Sequence, residues 1–259
     1  MSIDFDIVSK KLNTQHIGKP LYVFDSVTST NEVIKDYPCE NGLTIASKSQ
    51  TNGRGRLGRS WSSGDGGMYF SFMLTPPYKV DDVPFITIMS AVAVCNVLNK
   101  IVPCSIKWPN DIVINGKKVC GILTQSNVNN GEIEYIVVGI GINANVTEFP
   151  DAIINTATSL KIESEKEVNE NNIFCDILEN FENIYYNTNR KDILNMFKQN
   201  CATLGCEVTV HFHKGQRDVR GVCMDITEDA SLVVKTDAGE NITVSSGEVS
   251  VRGIYGYAD

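Results

Sequence analysis

Residues 105–143 read SIKWPNDIVINGKKVCGILTQSNVNNGEIEYIVVGIGIN. Ser105–Trp108 and Asp111–Ile114 are short apolar runs. Asn115-Gly116 is a strong two-residue hairpin turn, because both positions of such a turn need positive φ. Val119–Gln125 returns, Asn127–Gly131 turns, and Glu134–Asn143 is the last strand of the run. Hairpins set this closely argue for an antiparallel or mixed sheet rather than a βαβ array.

The flanking sequence supplies helices and further strands, and hence an α+β fold. Residues 4–17 read as a short helix ended by Gly18 and Pro20, and Leu21–Phe24 as a brief strand. A helix opens at Thr28, where Ser29 and Glu32 have the spacing of a capping box. Leu43–Ser47 is a strand, Gln50–Gly67 a glycine-rich loop, and Met68–Leu74 a strand stopped by Pro76-Pro77. Val83–Asn99 is uncharged but too short for the ~20 apolar residues of a membrane span, so it reads as a buried helix running to about Ile101. Residues 168–199 return to helical spacing, with Phe174, Ile177, Leu178, Phe181, Ile184 and Tyr185 on one stripe. From Gly205 the texture changes. Glu207–His213, Val219–Ile226, Ser231–Lys235, Asn241–Val244 and Glu248–Arg252 are short strands that suggest a small five-stranded barrel. The expected division is 1–203 and 204–259.

The 259 residues, 42% hydrophobic and 21% charged, can bury a sizeable core without disulfides and exclude disorder as the main state. The N-terminus lacks an apolar signal segment, and none of the eight cysteines forms C-x-x-C, so a cytoplasmic protein with reduced thiols is expected. Cys206, His211 and His213 could be imagined as metal ligands, but strand alternation alone puts both histidines on one face. Residues 1–150 carry 13 basic and 13 acidic side chains, so the net charge of −8 lies wholly in the remainder. A broad basic face for long nucleic acid is thereby excluded from the first half. What stands out there is one cluster, Arg54-Gly-Arg56-Leu-Gly-Arg59.

Gly53 to Gly58 fits G-x-G-x-x-G, and with Arg59-Ser60 it approaches a P-loop with Arg for Lys. Both patterns need a helix to begin at the loop. Here Ser60-Trp-Ser-Ser-Gly-Asp-Gly-Gly67 follows, and three glycines in four residues do not start one. What remains is a cationic flap, expected to order over a phosphate or carboxylate, with a plain solvated basic loop as the alternative. Lys107 ends an apolar strand at a proline, so its ammonium should emerge at a fixed point; a sheet-edge lysine is the alternative. Glycines in Gly121-Ile-Leu and Gly139-Ile-Gly141-Ile-Asn143 leave one sheet face bare, where something flat can lie, or else mark a bulge.

In this order and spacing, QTNGRGRLGRSW, KWPNDI, GKKVCGIL and VGIGIN resemble the biotin–protein ligases (holocarboxylase synthetases), and SSGEVSVRG resembles the end of that family's small C-terminal domain. The resemblance spans about Ser29 to Arg252. It implies a class II aminoacyl-tRNA synthetase-like mixed or antiparallel sheet flanked by helices, followed by an SH3-like β-barrel. It implies that biotin and ATP, with Mg2+, give biotinyl-5′-AMP, and that a lysine of a carboxylase's biotin carboxyl-carrier domain attacks this anhydride. Lys107 resembles the lysine that bridges the biotin carboxylate and α-phosphate, and Arg54 and Arg56 the arginines that close over the intermediate. Ser29, Thr30, Asn31, Gln50, Gly55, Gly121 and Gly141 are implied at biotin, together with Arg54, Arg56 and Lys107. Trp61, Asn143 and Arg252 are implied around the adenylate with those three cations.

The resemblance assigns no protein ligand to the metal. Gln125 departs from it, standing where the family commonly has an acid. Only 28 residues precede Ser29, too few for a winged-helix DNA-binding domain, so DNA is not expected as a partner; with Val83–Asn99 too short to span, neither is a membrane, and a homodimer is left open. A lipoate–protein ligase is the sister reading, and an RNA- or protein-binding module is the reading from another class.

Overall fold

The computed structural model describes residues 3–75, 77–212, 218–246 and 249–252. Its body is a seven-stranded sheet ordered β1 (Leu21–Val27), β2 (Thr44–Gln50), β3 (Gly67–Leu74), β7 (Glu132–Asn143), β6 (Lys117–Asn129), β5 (Asp111–Ile114), β4 (Ser105–Lys107). Only β1 and β2 run parallel; every other neighbouring pair is antiparallel, so the sheet is mixed. The hairpin turns that set this order are Asn115-Gly116, with φ 48° and 77°, and Asn130-Gly131, with φ 51° and 84°. Both are the two-residue turn whose twist suits a hairpin. The second is tighter than the expected Asn127–Gly131, and β6 and β7 lengthen to meet it.

One helix, α3 (Val83–Leu98), carries the core. All of it except Val83, Pro84 and Asn96 is buried. It lies against β6 on one side and α5 (Glu170–Asn187) and α6 (Arg190–Asn200) on the other. A helix apolar all round needs cover all round. Helix α5 also docks on β3, where Phe70 meets Phe174 at 5.0 Å and Phe72 meets Phe181 at 4.5 Å between ring centres. Such pairs add about 0.5–1.5 kcal/mol beyond the area they bury.

Several expectations are corrected. The N-terminal helix is only α1 (Phe5–Lys11), capped by Asp4 Oδ1, which accepts from the Ile7 N–H at 3.1 Å. The chain leaves the helix because Glu182 of α5 accepts from the backbone N–H groups of Gln15, His16 and Ile17 at 2.6, 2.7 and 2.8 Å. The helix at Thr28 is the single turn α2 (Thr30–Val33), and the Ser29 side chain makes no capping bond. The expected capping box does not form. The helical stretch 168–199 is two helices, because Asn189 caps α6 by accepting from the Asp192 N–H at 3.0 Å. A short α4 (Leu160–Ser164) was not expected.

The C-terminal strands β8 (Glu207–Phe212), β9 (Val219–Ile226), β10 (Leu232–Thr236), β11 (Asn241–Val244) and β12 (Val249–Arg252) form a five-stranded antiparallel sheet ordered β11-β10-β9-β8-β12. No pairing between β11 and β12 closes it into the expected barrel among the described residues. It packs on the body through a continuous apolar core. Trp108 is the bolt: its backbone N–H donates to Thr203 Oγ1 at 2.9 Å, and its indole donates to Ala230 O at 3.0 Å.

Candidate active site

The ends of β2, β4, β6 and β7, with α2 and the loop between β2 and β3, surround a cavity of about 410 Å³. At one end is a row of neutral polar groups. Gln50 Oε1 accepts from the Thr30 N–H at 2.8 Å. Ser71 Oγ lies 2.7 Å from both Thr30 Oγ1 and Asn31 Oδ1. Asn31 Nδ2 donates to Leu123 O at 3.2 Å and to Gln125 Oε1 at 3.1 Å. Ser29, Thr30 and Asn31 are all buried. Without a capping bond, the Ser29 hydroxyl is left to the cavity that it lines.

The opposite side is cationic. Arg54, Arg56, Arg59, Lys107 and Lys118 line the cavity, against one carboxylate, Asp111. Lys107 ends β4, is buried and lines the cavity. Lys118 Nζ stands 2.6 Å from Asp111 Oδ1 and 5.1 Å from the centre of the Trp61 ring. Arg56 Nη1 donates to Asn110 Oδ1 at 3.0 Å, and its Nη2 reaches the Ser246 carbonyl in the turn after β11. Burial holds the Arg56 guanidinium below its ordinary pKa, partly offset by Asp111. It stays a cation throughout the physiological range. Arg54 is half exposed, 3.4 Å from Glu32.

The glycine-rich loop is folded as a small ribbon. Gly55 N–H donates to Arg59 O at 2.7 Å, Trp61 N–H to Gly53 O at 2.9 Å, and Arg54 bridges Ser60. No helix follows it; β3 does. The ribbon is braced by these bonds of its own. It lays Trp61 on the bare glycine face. Gly121 and Gly141 are directly paired across β6 and β7. A Cβ on either would fall 2.7 Å from the Trp61 ring. The flat object on that face is therefore the protein's own indole. Trp61 Nε1 is buried with no partner among the described residues. At Gly139 a Cβ would strike Asn31 Oδ1 at 1.7 Å, so this glycine exists to admit the Asn31 amide.

A second cavity, about 450 Å³, adjoins the first and shares Arg59, Ser60, Trp61 and Lys118 with it. Asn143 lines it, with Nδ2 donating to Thr158 O at 2.9 Å. Thus every expected site residue except Arg252 meets one of the two cavities. The backbone of Arg252 lies on β12, and its side chain is outside the described residues. Lys118, Asp111 and Ser71 are additions, while Arg59 and Gly139 belong to the cationic and glycine clusters already singled out. Ser71 was hidden in an apolar strand, and Lys118 stood within the quoted GKKVCGIL. His213 lies outside the described residues, and His211 pairs with Asp218 at 2.8 Å.

Residues 23–143 match the biotin/lipoate A/B protein ligase family, and residues 203–252 match the biotin protein ligase C terminal domain. The chain is 31% identical to the bifunctional ligase/repressor BirA of Bacillus subtilis, over 88% of this chain and 73% of that protein. It is 27% identical to the biotin–[acetyl-CoA-carboxylase] ligase of Mycobacterium tuberculosis, over 81% and 79%. Among solved structures it is similar to the biotin protein ligase from Aquifex aeolicus in complex with biotin and ATP. That likeness has TM-score 0.78 at 30% identity, covering 90% of this chain and 99% of that one.

Proposed function

The chain belongs to the biotin protein ligase family, and on that premise we infer that it biotinylates a carrier-protein lysine, with ATP consumed and biotinyl-5′-AMP as the intermediate. The observation that carries the reading is the pairing of a neutral amide-and-hydroxyl row with five cations around one cavity. A ureido ring offers N–H donors and a carbonyl acceptor, which suit the row. A carboxylate meeting a triphosphate brings anion to anion, which suits the cations.

In the first step a biotin carboxylate oxygen attacks the α-phosphorus, and the bond to pyrophosphate breaks. In the second, the carrier's uncharged amine attacks the acyl carbon, AMP leaves, and the amine loses a proton. The resemblance gives the bridging role to Lys107. The lining of the cavities favours Lys118 beside it, because Lys118 alone of the two borders both. Arg54 and Arg56 would close the flap and keep water from the anhydride. Trp61 and Asn143 would border the nucleotide.

Magnesium would arrive with ATP. No cluster of three acidic, histidine or cysteine ligands exists among the described residues; Asp111 is the carboxylate that lines the first cavity, and Asp65 and Glu148 line the second. We read 1–203 as the catalytic unit, class II synthetase-like in topology, and 204–259 as an SH3-like unit. The acceptor is taken to be a carboxylase carrier domain. The eight free thiols suit a reducing compartment, and the cytoplasm is proposed. The test is ATP–pyrophosphate exchange with biotin, with lipoate, or with neither. Exchange driven by biotin alone is expected. Exchange driven by lipoate would move the reading to the sister activity, and none from folded protein would overturn it.

A further inference from the structure

Asn31 is buried, and both ends of its carboxamide are engaged. A side-chain amide can be turned over with little change in shape, which exchanges its donor and acceptor ends. Here Leu123 O settles the direction, because only an N–H can face a carbonyl oxygen at 3.2 Å. Gln125 supplies the second acceptor on that side, its Oε1 3.1 Å from Asn31 Nδ2. Gln125 does not line the cavity, so it meets the substrate only through Asn31.

With Nδ2 held by two acceptors, Oδ1 faces Ser71 and takes its single hydroxyl proton. A hydroxyl has one proton, so Ser71 Oγ then meets Thr30 Oγ1 at 2.7 Å as an acceptor, and Gln50 Oε1 at 3.3 Å is the Thr30 hydroxyl's second acceptor. Thr30 Oγ1 in turn keeps lone pairs for a ligand N–H in the cavity. The proton direction of the whole row is thus set from its far end. Neighbouring bonds in such a chain reinforce one another in a poorly hydrated site.

We propose that Gln125 is a positioning residue for biotin recognition: its carboxamide oxygen fixes the donor end of Asn31, and through Ser71 it makes Thr30 an acceptor for the ureido N–H. The proposal rests on the ligase reading and adds a residue to it. An acceptor is what position 125 needs, and a carboxylate there would serve the same end. A hydrocarbon would not, and an ammonium would oppose the orientation outright.

The test is ATP–pyrophosphate exchange with biotin varied, then with ATP varied, for wild type, Gln125→Met, Gln125→Lys and Gln125→Glu. Gln125→Met should raise the biotin KM by about 3- to 10-fold, the worth of one neutral hydrogen bond. The ATP KM and kcat should stay within about twofold. Gln125→Lys should raise the biotin KM further, and Gln125→Glu should return it to the wild-type value. Position 125 is half-buried on a strand, so these variants are expected to fold, and a thermal melt of each checks it. An unchanged biotin KM in both Met and Lys variants overturns the proposal, as does a parallel loss in ATP KM and kcat, or a Glu variant no better than Met. A wild type without biotin-dependent exchange would instead fail the ligase reading itself.

Discussion

Two lysines divide the cationic wall. Lys107 comes from the end of β4, Lys118 from the start of β6 two strands further on, and Asp111 opens β5 between them. Removing a fixed cation from where charge develops costs on the order of 10²–10³ in rate. Lys118→Ala and Lys107→Ala should each lower biotinyl-adenylate formation by about that factor, measured in single turnover, while circular dichroism stays native. A Lys118→Ala enzyme as fast as wild type would remove it from the wall. Gly141→Ala tests the glycine face. Its methyl would collide with Trp61 and push the indole off the sheet. The buried Nε1 would then reach water, giving a red-shifted emission and stronger acrylamide quenching than wild type, with a higher biotin KM. The arginines, Lys107 and the paired glycines were legible in the sequence, because their chemistry is local. That Trp61 covers Gly121 and Gly141 was not, because it depends on strand register across most of the sheet.

At the level of elements, hairpins were read most faithfully, since Asn115-Gly116 states its own dihedrals. Helix ends were read worst. The stripe from Phe174 to Tyr185 runs so smoothly towards α6 that the Asn189 cap was passed over. α1 is cut short by Glu182, a partner far along the chain. Another acidic side chain, Glu170, opens α5 and is buried, and burial raises its pKa above 4.5 although Asn145 donates to it at 2.9 Å. The sign follows from linkage. The unfolded chain ionises this group first, so stability falls as pH rises from about 4.5 through the folded value, then stays level. Glu170→Gln should therefore stabilise the protein near pH 7 and do little near pH 4. Urea titrations of both proteins at the two pH values measure this, and an equal gain at both would show that burial is not the cause.

For the whole molecule, Trp108 and Arg56 tie the cavity wall to the connections of the C-terminal sheet at Ala230 and Ser246. One apolar core runs through both sheets. Calorimetry should show one cooperative transition. Trp108→Phe should lower stability by about 1 kcal/mol, for the lost bond to Ala230, and keep the transition single. Two separated endotherms in wild type would mean the units melt independently. The fully wrapped α3 has a consequence in time. Its amide hydrogens reach deuterium only when the surrounding sheet and helices come away together. The helix is therefore a clock for global opening. The glycine-rich ribbon, held by a few bonds of its own, would exchange many times while α3 keeps its protons, so the part of the molecule nearest the chemistry forgets its history long before the part farthest inside.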